Sequence, residues 1–169
     1  MKLLLIVLFV FITFNSFAQK SYVVDLPIEF VFADSAMEEN ELWKIYANTN
    51  KNAENKIEII STARITNPKE QVIELVAQSI YKKLIKTCEN FKMTTLENGT
   101  DTAGRSIIFV AESSKKCTLM EKEVSFLVHL IKKGRNFYAH CYMVIAKKIP
   151  EKERVKWADL FKSGTWKTD

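Results

Sequence analysis

The sequence predicts an α+β fold: a single antiparallel β-sheet of about six to seven strands, flanked by a long helix after the third strand and by a C-terminal helix. Three observations predict it. Most of the chain alternates apolar and polar side chains, the period of a half-buried strand. That period gives way to the spacing of an amphipathic helix after Asn67 and again after Pro150. The glycines, Gly99, Gly104, Gly134 and Gly164, all fall at turns or a helix end, so the glycine-rich phosphate loop of a parallel, nucleotide-binding sheet is missing. No cofactor is expected.

In chain order, "MKLLLIVLFVFITFNSFAQK" carries one positive charge at Lys2, an apolar run from Leu3 to Phe14, and small residues at Ser16 and Ala18. This is the pattern of a secretory leader. The run is shorter than the roughly 20 apolar residues of a membrane helix, and no second long run follows. Residues 1–18 are therefore expected to be removed after Ala18, leaving 19–169 as one exported domain, periplasmic or secreted, with no membrane span. No cysteine lies near Ala18, which argues against a lipid anchor. A domain of this size buries roughly two-thirds of its unfolded surface without covalent staples. Cys88, Cys117 and Cys141 are an odd set, so at most one intramolecular bridge forms, and spacing does not say which.

The formal net charge of +5 falls to +4 once Lys2 leaves. The lysines come as scattered pairs, Lys82-Lys83, Lys115-Lys116, Lys132-Lys133 and Lys147-Lys148, with no interleaved aromatic platform for a single strand of nucleic acid. They read as solvated edges and turns, and no nucleic-acid partner is expected.

"SYVVDLPIEFVF" (21–32) reads as a strand pair, or one strand broken at Pro27, because proline cannot donate to a ladder. "ADSAMEENE" follows as an acidic loop, in which Glu38, Glu39 and Glu41 are read as solvated. "LWKIYAN" (42–48) and "KIEIISTARI" (56–65) are alternating strands that complete an antiparallel meander. "NPKE" then offers a capping asparagine, a proline at the first helical position and a glutamate two residues on. The helix should run to about Glu89 with Ile73, Ala77, Ile80, Leu84 and Cys88 on its buried stripe. Strands return at "FKMTTLE", turn through "NGTDTAG", and continue in "RSIIFVAE" and "CTLMEKEVSFLVHLI". The chain closes with the helix "IPEKERVKWADLFKSG", Val155, Ala158 and Phe161 on one face and Gly164 at its C-terminal cap. Trp43, Trp157 and Trp166 read as core or lid residues.

The stretch "KKGRNFYAHCYMV" (132–144) holds the chemistry-bearing side chains. Alternation places Phe126, Val128 and Leu130 on one face of its first arm and Leu127, His129 and Ile131 on the other; in the second arm Cys141 and His140 oppose each other. A two-residue loop at Gly134-Arg135 sets His129 directly across from His140, and a four-residue loop makes them diagonal neighbours. His129 and His140 should thus share a partly covered sheet face, while Cys141 enters the core. Neighbouring strand residues cannot converge on one reacting atom, so a Cys141–His140 nucleophilic pair is excluded. The two imidazoles are the candidate metal ligands, with Cys117, Glu121 or Glu123 as a third. No GxSxG, HExxH or kinase-type motif is present, and no catalytic residue is assigned.

With these elements in place, the chain resembles the PsbP-like family, the extrinsic photosystem II subunit and its bacterial relatives. The resemblance lies in "GRNFYAHCYMVIAKKIPEKERVKWADLF" (134–161), similar to that family's nGrxYxl strand, its proline-acid turn and its last helix, and in the opening "LPIEFVF". Ser163-Gly164 stands where the family closes with Ser-Phe, and its Pro-x-x-Trp after the first strand is missing. The resemblance implies a sheet covered by helices on both sides and a non-enzymatic role docking onto larger assemblies. Bacterial relatives include secretion-system accessories, chaperones and immunity proteins, and some bind metal ions. An envelope protein partner is expected. "DSA" (34–36) and "DTA" (101–103) also resemble the Asp-Ser/Thr-small acceptor of periplasmic O-glycosylation, placing Ser35 and Thr102 in predicted loops as acceptors.

Overall fold

The computed structural model describes residues 20–38, 41–50, 57–66, 68–87, 91–100, 104–113, 117 and 122–168. Over these residues the order is β1 (Lys20–Val23), β2 (Phe30–Glu38), β3 (Glu41–Asn48), β4 (Glu58–Ile65), α1 (Ile73–Thr87), β5 (Phe91–Thr100), β6 (Arg105–Ser113), β7 (Ser125–Lys133), β8 (Asn136–Val144), α2 (Glu151–Lys162) and β9 (Thr165–Thr168). The large sheet has seven strands in the order β2-β3-β4-β8-β7-β6-β5, and β1 pairs with β9 in a second sheet of two strands. All pairs are antiparallel.

Two expectations about the strands are corrected. The opening stretch is a strand pair, yet its halves join different sheets, so the long helix follows the fourth strand rather than the third and the sheet is not single. The chain also continues past the last helix into β9. The expected acidic loop is corrected as well: Ala33–Glu38 continue β2, with a bulge between Phe32 and Asp34. A bulged edge strand tolerates charged side chains because one side of it meets water. Ser35 therefore lies in a strand, exposed, and not in a loop, while Thr102 lies outside the described residues. In the same way Asn98–Thr100, expected as a turn, extend β5.

The first helix begins at Ile73, not at Pro68. The Glu70 carboxylate accepts the amides of Gln71 and Val72 at 2.8 Å, holding a separate turn there. The helix then opens on the Val72 carbonyl, which accepts from Leu75 and Val76 at 3.1 Å. Ile73, Ala77 and Ile80 lie on the buried stripe as expected, together with Val76. Asn67, Cys88 and the side chain of Leu84 lie outside the described residues. In α2, Glu151 and Glu153 stand in the first turn and Lys162 in the last, each matched to the sign of its helix end. Trp157, Ala158 and Phe161 face inward, but Val155 is 52% exposed. The C-terminal cap is Ser163, whose N–H bonds the carbonyls of Asp159 and Leu160, and not Gly164.

The sheet carries a core on each face. Under α1, Ala77 and Ile80 pack with Phe109, Phe126, Val128 and Ala139. Under α2, Trp157 stacks on Tyr142 with ring centroids 4.5 Å apart and meets Phe30 edge-on at 5.4 Å. Arg154 fastens α2 to β6 through Glu112 at 2.7 Å. Among the described residues β2 and β5 are the edges of this sheet.

Candidate functional site

Gly134 adopts φ +61, the left-handed conformation a two-residue hairpin loop asks of its first position. That loop pins the register of β7 on β8, and His129 pairs with His140 as the alternation predicts. Their ring centroids are 6.2 Å apart. The face they share is covered completely, not partly: His129 is 0% and His140 2% exposed. Cys141 points to the opposite face.

The cover comes from β1, β9 and the end of α2. The Tyr22 ring meets His140 edge-on at 5.4 Å, and Phe161 lies 5.7 Å from His140 on another side. The Tyr22 hydroxyl donates to the carbonyls of Phe161 and Lys162 at 3.1 and 3.0 Å, closing the C-terminal end of α2. The Tyr138 hydroxyl donates to the Lys20 carbonyl at 2.7 Å, and Trp166 of β9 contacts both tyrosine rings at 5.0 and 5.1 Å. Burial, reinforced by the neighbouring His129, pushes His140 down to about 3 although it hydrogen-bonds the Tyr22 backbone. His140 is therefore neutral at physiological pH, and its Nδ1 has no hydrogen-bond partner among the described residues.

Two imidazoles supply half of a tetrahedral metal site. Among the described residues no group of three or more histidine, cysteine or acidic side chains lies together. Of the third ligands considered, Cys117 is buried in a disulfide and Glu121 lies outside the described residues. Cys141 is a free, buried thiol pushed up to about 12 by desolvation, so it holds its proton and is no nucleophile. It borders an apolar cavity of about 280 Å³ under α1 with Trp43, Phe126 and Met143.

Sequence reasoning missed a second feature. Beside the buried pair, His140 reaches the floor of an open cleft of about 550 Å³ between β1 and the β3–β4–β8 surface. Registers set Lys44, Thr62 and His140 in one cross-strand row and Leu42, Arg64 and Tyr138 in the next. The alternation of β3 and β4 was legible, but the loop between them does not reveal register, so Lys44 and Arg64 could not be placed together. The extension of edge strand β2 past Phe32 was missed too; the strand exposes Val31 (51%), Phe32 (55%) and Met37 (75%), beyond Ile28 (97%) in the preceding turn.

No protein-family model and no curated protein matches the chain. Solved structures do. The Ran-binding protein Mog1p of Saccharomyces cerevisiae superposes with a TM-score of 0.53 over 84% of each chain, at 13% identity. The chain has the Mog1/PsbP-like fold. A mutant form of Mog1 gives the same values. LpqN of Mycobacterium tuberculosis, described as involved in cell envelope biogenesis, gives 0.45 at 11% identity over 92% of this chain and 88% of its own. At such identities the likeness concerns architecture alone. No helix among the described residues is long and apolar enough to cross a membrane.

Proposed function

We propose that the protein is an exported, non-enzymatic binding or accessory protein of the PsbP-like family that acts on a protein partner in the bacterial envelope, as a secretion-system accessory or an immunity protein does. The observation that carries this reading is β2. It is an outer strand of nine residues whose outer hydrogen-bonding side is unpaired among the described residues, and it carries the exposed apolar side chains Val31, Phe32 and Met37. Monomeric proteins usually shield such edges, and an extended partner segment can extend the sheet there by main-chain bonds with side-chain pockets for selection. The leader sequence supports the compartment, and the Ran-binding description of Mog1p supports protein recognition on this architecture.

The test is capture from the native envelope with the wild-type protein and with Phe32→Lys/Met37→Lys. A stoichiometric partner that the variant fails to retain supports the reading. Equal retention removes β2 from it, and recovery of no partner removes the reading itself.

The alternative, a metal-binding protein or metal-dependent enzyme using His129 and His140, draws on their direct pairing across the hairpin. Metal retained by the purified protein and lost in His129→Ala/His140→Ala would support it.

A further inference from the structure

We propose that the cleft between β1 and the β3–β4–β8 surface binds a small amphipathic anion, its acidic head held by Lys44 and Arg64 and its apolar body lying against Leu26, Leu42 and Tyr46. The volume of about 550 Å³ falls in the range of small-molecule sites, about 300–1,000 Å³. Charge selects the sign of the ligand. Lys44 and Arg64 line the cleft, and among the described residues the lining holds a single carboxylate, Asp25, which is turned outward and paired with Lys167 at 3.6 Å. Lys44 is exposed and has no ion pair among the described residues.

Geometry selects the size of the head. Lys44 pairs with Thr62, two residues from Arg64, so the cations are diagonal neighbours on one face, about 7–8 Å apart at the backbone. Two long side chains at that separation can close on one carboxylate or phosphate. His140 completes the floor of the cleft with a side chain 2% exposed whose Nδ1 lacks a hydrogen-bond partner among the described residues. That nitrogen is closed to solvent, so His140 supports the floor from beneath and, being neutral, brings no charge to it. Leu26 and Leu42 leave much of the remaining lining apolar, and an inorganic ion would not fill it.

The experiment is calorimetric titration of the purified protein with decanoate, decyl phosphate and decanol. Both anions should bind, and decanol at least about tenfold more weakly, the factor a charge-assisted hydrogen bond supplies. Lys44→Gln/Arg64→Gln should lower the affinity for both anions by at least about tenfold. Lys44→Glu, at an exposed position, should do the same without risk to the fold. Lys92→Glu, the same charge change on distant β5, should leave binding unchanged. Equal binding of decanol, no binding of either anion, no effect of Lys44→Glu, or an equal effect of Lys92→Glu would each overturn the proposal. Because β2 takes no part in this lining, Phe32→Lys/Met37→Lys should bind decanoate normally, which separates this test from that of partner binding.

Discussion

His129 and His140 face one another across the β7–β8 pair, ring centroids 6.2 Å apart, in a region closed to water. One buried imidazole beside another is an electrostatic liability that the fold resolves by keeping His140 uncharged.

That arrangement makes stability acid-sensitive. His140 sits at about 3 in the folded protein against an ordinary 6.5, chiefly through burial and then through His129. Between those values the unfolded chain binds a proton that the folded chain refuses. The contribution is intact above 6.5 and lost as pH falls toward about 3, at up to about 1.4 kcal/mol per pH unit. The urea midpoint should fall between pH 7 and pH 4.5, and His140→Phe should flatten that dependence. An unchanged slope would assign the titration to another group.

Metal content follows from the same pair. With two imidazoles and no grouped third ligand among the described residues, protein purified without chelator should carry no stoichiometric zinc or copper, and EDTA should leave its melting temperature unmoved. One metal per chain by plasma emission spectroscopy would reverse this expectation.

Gly164 is a packing position. A Cβ there would stand 2.5 and 2.7 Å from Tyr22 Cε1 and Cζ and 2.9 Å from Val24 Cγ2. Tyr22 cannot retreat without giving up its bonds to Phe161 and Lys162. Gly164→Ala should cost about 1–3 kcal/mol, as other insertions into packed regions do, and should red-shift the emission of Trp166. Stability within error of wild type would show that the β1–β9 cover yields freely.

The cysteines divide into kinds. Cys117 is bridged and Cys141 is free and buried. Denatured, unreduced protein should expose one thiol, on the Cys141 peptide; folded protein should resist alkylation because burial pushes that thiol up to about 12. Rapid labelling of the folded protein would contradict this placement.

Legibility varied with the source of each constraint. The β7–β8 hairpin could be read to the residue because one glycine turn and strict alternation act locally, and a slip of one residue would have moved Phe126 and Val128 to the wrong face. The last helix is legible, with Ala158 and Phe161 inward and Trp157 in the core, but Val155, two residues before Trp157, faces water instead of sharing that face. β9 is four residues long and gains its order from pairing with β1, far away in sequence, so no local pattern announces it. The Ala33–Glu38 part of β2 reads as a loop in sequence because acids and small residues mark turns, whereas on an outer strand those same side chains simply meet water. The cleft depends on how β3, β4 and β8 align with each other, which periodicity within each strand leaves open.

The pairing of Ser21 with Lys167 and Tyr22 with Trp166 joins the two ends of the described chain. A polypeptide delivered amino end first must keep β1 waiting until β9 has followed. Closure of the α2-side core thus waits on β9, and removing β9 would leave Tyr22 and Tyr138 without the indole that both rest upon.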